Sequence, residues 1–206
     1  MKGYGWVAAL VSLFVWSGGA WAAFPAHTEI QQVDGGYQLL CGGEPMEIRG
    51  VAATSDFKAL SALGANGVLL PESDVSTERL DRAVEAGLPA AVLFTLHGGD
   101  AASLSKQAEA VLGRISEWKA HPAIMLWIIT ANDPVEQDRE GVYAAMNALA
   151  GKLKVVDPDH VAVFDAGALD GADGKADLFS AKCPDVQVMA CSVGCTVTNL
   201  SALIGE

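Results

Sequence analysis

Three runs in the middle of the chain leave little freedom in how it can fold. Asn66–Leu70 (NGVLL), Pro89–Leu96 (PAAVLFTL) and Ala123–Ile129 (AIMLWII) are apolar almost throughout, without the alternation of a half-exposed strand. A strand that is apolar at successive positions is buried on both faces, which is the condition of a parallel sheet covered by helices. The segments between the runs carry the complementary pattern. Leu104, Ala108, Val111, Leu112, Ile115 and Trp118 make one long stripe at helical spacing, and Val142, Ala145, Met146, Leu149 and Leu153 make another. Phe57, Leu60 and Leu63 form a shorter stripe stopped by Gly64. Ser76 can cap a helix that turns Leu80, Ala83 and Val84 inward and ends at Gly87.

Upstream, Gly36–Val51 (GYQLLCGGEPMEIRGV) holds two strand-like arms around Gly42-Gly43-Glu44-Pro45, a turn signal. The pattern predicts a hairpin whose second arm, Met46–Val51, leads into the main sheet. Downstream, Val161–Phe164 and Val186–Ala190 are two further apolar runs. The order is thus five strands alternating with helices, an irregular stretch, and a sixth strand. Both a (β/α) barrel and an open doubly wound sheet fit it. No G-x-G-x-x-G or P-loop follows any strand, so the nucleotide-binding versions of the open sheet lack their signature.

The ends of the chain and its charge set further bounds. Lys2, the apolar run Trp6–Trp16 and the small-residue pattern Ala20-Trp21-Ala22 read as a secretory signal peptide over residues 1–22. The run falls short of the roughly 20 residues that span a bilayer. The expected mature domain, 23–206, is exported, periplasmic or extracellular, and free of the membrane after cleavage. A net charge of -12 and the lack of a basic stripe argue against nucleic acid as a partner. Four cysteines, Cys41, Cys183, Cys191 and Cys195, could pair in three ways in an oxidising compartment, and spacing does not choose among them. Cys191 and Cys195 have no second ligand pair for zinc, and Asp165–Asp177 (DAGALDGADGKAD) does not follow the calcium-loop pattern. No metal and no cofactor is expected.

In a parallel α/β barrel the chemistry sits at the C-terminal ends of the strands. Those positions hold Thr54, Ser55 and Asp56 after the first strand, Glu72 after the second and His97 after the third. Thr130, Asn132 and Asp133 follow the fourth, Asp165 the fifth, and Ser192 and Cys195 the sixth. Four segments in order then carry a resemblance: GYQLLCGGEPMEIRGV, LSALGANGVLL, AVEAGLPAAVLFTLH and HPAIMLWIITANDP. They resemble the glycoside hydrolase barrel of the family 2 and family 5 type, well over Gly36–Pro134 and weakly over Asp157–Cys195. The resemblance implies a (β/α) barrel that cleaves O-glycosidic bonds with two carboxylates, held about 5–5.5 Å apart in retaining members. By that likeness Asp133 stands at the general acid/base, Asn132 at the Asn that binds substrate, and His97 at a sugar-binding His.

This chain departs from the pattern in four places. Asp133 stands where the family has Glu, one methylene longer. Four residues separate Trp127 from Asn132, where the family usually has three, and an extra residue reverses side-chain facing unless a bulge absorbs it. Leu69-Leu70-Pro71 replaces a segment that often carries Arg. No seventh strand with a nucleophile Glu follows, and Glu206 is terminal. The fold expected is therefore α/β, a (β/α) barrel-like parallel sheet of about six strands preceded by a β-hairpin, and partial against the eight of a closed barrel. The function expected is glycoside hydrolase-like, hydrolytic if the site is completed. The alternative is a non-catalytic carbohydrate-binding or interaction protein on a degenerate barrel. Several residues have plainer readings: Trp127 as core, His121 as a structural His before Pro122, and Asn132-Asp133-Pro134 as a turn.

Overall fold

The computed structural model describes residues 27–34, 36–53, 55–97, 100–132, 139–165 and 188–190. The expected signal peptide, Asp133, and Cys183, Cys191 and Cys195 lie outside them.

Two sheets organise these residues. An antiparallel sheet is formed by β1 (Thr28–Val33), β2 (Gly36–Cys41) and β3 (Glu44–Met46) in that order. A parallel sheet follows, with β4 (Gly50–Ala52), β5 (Gly67–Pro71), β6 (Ala90–His97), β7 (Ile124–Asn132), β8 (Val161–Asp165) and β9 (Val188–Ala190) side by side in sequence order. Every neighbouring pair in it is parallel. Four helices connect β4 through β8: α1 (Phe57–Ala62), α2 (Thr77–Glu85), α3 (Ala101–Trp118) and α4 (Arg139–Val156).

The expected hairpin is thus one half of a three-stranded sheet. Gly42 and Gly43 make its turn with φ of 60° and 83°, a region open to glycine at no steric cost. The second arm does not run through to Val51. It stops at Met46, and the main sheet begins separately at Gly50. The crossing between them is pinned by Asn66, whose side chain accepts from Arg49 N–H (2.6 Å) and donates to the Glu47 carbonyl (2.7 Å). Thr28–Val33 lacks the apolar run that marks the other strands, and only its pairing with β2 reveals it.

The expected signals at Ser76, Gly64 and Gly87 mark helix ends, and Asp100 adds a cap beyond them. Ser76 caps α2 by accepting from Arg79 N–H, and Asp100 caps α3 by accepting from Ser103 N–H. Gly64 and Gly87 take positive φ just past α1 and α2. Leu63 departs from the expected stripe: α1 ends before it, and the side chain is 58% exposed.

The core divides by sheet face. One face packs against all four helices, joining Val68, Val92, Phe94, Trp127, Ile129 and Phe164 to Phe57, Leu80, Ile115 and Met146. The other face, with Ala91, Met125, Leu126 and Val161, meets Leu39, Cys41 and Met46 of the small sheet. Helices gathered on one face of a sequentially ordered sheet make it singly wound, without the strand-order reversal of a doubly wound fold. Between Ala90 and Ala91 the β6–β7 register slips by one, since these pair with Ile124 and Leu126. Met125 is the extra residue of this bulge, so Met125 and Leu126 both serve the small-sheet face, while Ile124 and Trp127 serve the helix face.

The two sheets are fastened through Thr28. Its hydroxyl donates to the Met125 carbonyl (2.8 Å) and accepts from Val161 N–H (2.9 Å), and its own N–H donates to the Asp159 carbonyl (2.8 Å). Thr28→Val keeps the shape and strips the hydroxyl, leaving a buried carbonyl and N–H without partners. Each such orphan costs roughly 1–3 kcal/mol. The variant is expected to unfold at distinctly lower urea concentration with an unchanged m-value, and an unaltered midpoint would contradict this fastening.

Candidate functional site

The C-terminal ends of β4–β8 carry the residues singled out from the sequence. β6 and β7 are the longest strands and project furthest at this end. β5 stops at Pro71, which pairs with Leu93, so β6 runs on to His97 without a β5 neighbour. β7 accompanies it, and the register places His97 opposite Asn132. Two of the three candidate residues are thereby brought to adjacent positions at one end of the sheet. The third, Asp133, lies outside the described residues.

The β7 strand reaches Asn132, three residues beyond the apolar run that predicted it. Pairing is one-for-one from Leu126↔Ala91 to Asn132↔His97. The extra residue between Trp127 and Asn132 is therefore not absorbed within that span, because the bulge lies before Trp127. Trp127 itself is fully buried in the helix-side core, which is the plain reading of it.

The His97 side chain is exposed, and its backbone is held from an unexpected direction. Gln107, on the second turn of α3, accepts from His97 N–H through Oε1 (2.8 Å) and donates from Nε2 to the His97 carbonyl (2.9 Å). Gln107 Nε2 also lies 3.4 Å from Ser103 Oγ, and Ser103 N–H is bound by the Asp100 cap. Nothing in the sequence marked Gln107, because a glutamine on a partly exposed helix face carries no pattern of its own.

Other strand-end candidates are less engaged with this pair. Glu72, in a single 3₁₀ turn after β5, lies 3.3 Å from Arg114 Nε, whose guanidinium also covers the Trp118 ring at 5.4 Å. Asp56 adopts the left-handed conformation (φ 57°) ahead of α1 and makes no side-chain cap, a conformation Asp tolerates better than most residues. Thr130 is buried, and Asp165 closes β8 opposite it. Thr54, Ser192 and Cys195 lie outside the described residues. Among the described residues Cys41 has no disulfide partner, and burial pushes its thiol pKa up. Among the described residues no three His, Cys, Asp or Glu side chains group as a metal site would need.

A second polar cluster sits at the far end of the sheet, where Asp157 follows α4. Its carboxylate accepts from Trp127 Nε1 (2.7 Å) and Asp159 N–H (3.2 Å) and pairs with His160 Nδ1 at 2.9 Å. The carboxylate and the imidazole are both buried. Burial pushes the Asp157 carboxyl up. The hydrogen bonds from His160 and Trp127, the attraction of His160 and the Asp159 N–H together outweigh that and hold it below the ordinary value of 3.8. The cluster borders a cavity of about 690 Å³ between β1, α4 and β8, away from the His97–Asn132 end. Asp157-Pro158-Asp159-His160 fills the short connection from α4 to β8. His121, read as structural, is so placed: its Nδ1 accepts from Ala123 N–H (3.1 Å), and its Nε2 lies 3.2 Å from Asp81.

No protein-family model and no curated protein matches the chain. Solved structures do. A β-glucuronidase from Parabacteroides merdae aligns at TM-score 0.59 and 19% identity, over 81% of this chain and 22% of its own. A glycosyl hydrolase family 2 member from Bacteroides cellulosilyticus aligns at TM-score 0.58 and 16% identity, over 80% and 24%. A family 2 β-galacturonidase from Eisenbergiella tayi, bound to galacturonate, aligns at TM-score 0.52 and 18% identity, over 67% and 28%. The fold is that of a stretch of the family 2 glycoside hydrolases. At these identities the likeness is one of fold, and the chain spans about a quarter of the length of these three enzymes.

Because the Asp157 pKa is depressed in the folded state, its stabilising contribution is complete above the ordinary aspartate value and is lost as pH falls through the lowered one. Thermal melts should therefore show stability declining below about pH 4. Asp157→Asn should melt lower at neutral pH and lose part of that acid slope. An acid slope identical to the parent's would remove Asp157 from the account.

Proposed function

We propose that this chain forms the sugar-binding part of a glycoside hydrolase-like (β/α) barrel and acts on O-glycosidic bonds when its site is complete. The observation that carries the reading is the pairing of His97 with Asn132 at the C-terminal ends of adjacent parallel strands, in a fold shared with family 2 enzymes. Function in barrels of this type concentrates at that end. In this reading His97 and Asn132 bind sugar hydroxyls. Asp133, next along the chain, is the general acid/base: it protonates the leaving oxygen as the glycosidic C–O bond breaks and takes a proton back from the water that then adds at the anomeric carbon, with the second carboxylate of the pair supplied where the site is completed. Closure of the barrel takes two further strands between β9 and β4. Residues 1–22 direct export, and the domain over 23–206 works in the periplasm or outside the cell.

A second reading is favoured by one observation. The ladder from Leu126 to Asn132 is unbroken, so the residue added after Trp127 displaces everything beyond it relative to the family pattern. Asp133 is also one methylene shorter than the glutamate it replaces. A shift of about 1 Å can cost on the order of 100-fold in rate. A protein that binds carbohydrate without cleaving it fits these departures.

Hydrolysis of p-nitrophenyl β-glucuronide, β-galacturonide and β-galactoside by the full chain separates the two. The enzyme reading expects slow turnover that Asp133→Ala abolishes and Asp133→Glu raises, by up to about 100-fold. Turnover that survives Asp133→Ala would dismiss the assigned acid. Glycoside binding lost in His97→Ala and Asn132→Ala, with no turnover in the parent, would establish the binding protein.

A further inference from the structure

We propose that Gln107 is a positioning residue that sets His97 at the mouth of the sheet by standing in for a missing strand. The proposal rests on the carbohydrate reading only for what His97 binds, and the placement of His97 stands without it.

In a parallel ladder, alternate residues direct both N–H and C=O to the same side. β5 ends opposite Leu93, four residues short of His97. The end of β6 therefore has β7 on one side and, among the described residues, no strand on the other. An edge of this kind frays unless something takes up its donor and acceptor. A single group with an acceptor and a donor in one plane can meet both, and a primary amide is such a group. Gln107 supplies it, with Oε1 on the N–H at 2.8 Å and Nε2 on the carbonyl at 2.9 Å. The side chain supplies the acceptor and the donor that two successive peptide units of a longer β5 would have offered.

The placement of Gln107 is itself determined. Asp100 caps α3 through Ser103 N–H and fixes where the helix starts. Leu104 and Ala108 turn into the core on either side of Gln107 in sequence and fix the helix's rotation. Ser103, one turn back on the same face, lies against the Gln107 amide. The helix that covers the sheet thus also holds the last residue of β6. His97 is consequently a strand residue with a fixed backbone and an exposed imidazole. That suits a side chain that must meet a ligand in one orientation.

The test uses the full chain and the ring signals of its four histidines in ¹H–¹³C NMR. Gln107→Leu removes both contacts, and Gln107→Glu keeps the acceptor for His97 N–H and loses the donor. The expected result is a shifted or broadened His97 signal in Gln107→Leu and a smaller change in Gln107→Glu. The signals of His27, His121 and His160 should stay in place. A general loosening would move the buried His160 as well, so a change confined to His97 distinguishes positioning from lost stability. An unmoved His97 signal in Gln107→Leu, or equal movement of all four, overturns the proposal. Titration with methyl β-glucuronide and methyl β-galactoside then reads the functional half. The parent should shift its His97 signal on binding, and Gln107→Leu should bind about fivefold more weakly, the loss of about one net hydrogen bond. A parent that gives no His97 response to either glycoside defeats the carbohydrate reading, while the ring signals without sugar decide the role of Gln107.

Discussion

The indole N–H of Trp127 must find an acceptor in the deepest part of the core, and the surrounding structure is arranged around that need. A buried N–H without a partner is costly, and so is a buried carboxylate. Asp157 answers the first and creates the second, which His160 and Asp159 N–H then answer. The consequence runs along the chain. Asp157 is fixed one residue past the end of α4, and His160 one residue before β8, so this helix and this strand are held in relation to β7 by one polar cluster. A line of rings continues the contact outward. His160 meets Trp127 edge-on at 6.0 Å, Trp127 lies 6.0 Å from Phe94, and Phe94 stacks with Trp118 of α3 at 6.4 Å. Three elements and the connection between α4 and β8 are thus joined through one aromatic row with a polar end.

Much of this was legible beforehand, for a physical reason. Apolar runs at Val68–Leu70, Val92–Phe94 and Ile124–Ile129 are dictated by burial on both faces, and every residue expected in the α3 stripe is buried. Ser76, Gly64 and Gly87 act locally, through capping and positive φ, so they too could be read from neighbours alone. What escaped depends on partners far off in sequence. β1 is polar and mostly exposed, and it is a strand because β2 lies beside it. The bulge at Met125 is a property of two strands together. At the candidate site the three named residues were chosen by resemblance. The structure sets His97 and Asn132 side by side in backbone register, whereas Gln107 became visible only once α3 and β6 were brought together in space.

The two ends of the parallel sheet differ in character. Near the starts of β6, β7 and β8, the face turned from the helices is sealed by the small antiparallel sheet and the hydroxyl of Thr28. At the other end, strands of unequal length leave His97 exposed and held by a side chain. This division separates what keeps the fold from what can vary. Asp157, His160 and Thr28 hold the structure at a distance from the residues proposed to meet a sugar, so substitutions at the mouth can alter recognition with little effect on the framework.

Thr28 has one more consequence, and it concerns time. Its two hydroxyl contacts reach 97 and 133 residues down the chain, to Met125 and Val161. A ribosome makes Thr28 early and Val161 late, so the first strand waits while most of the domain is synthesised. Contacts of such separation form only after the intervening loop entropy has been overcome. The contacts that seat the first strand on the parallel sheet therefore cannot close until the chain has been made as far as Val161.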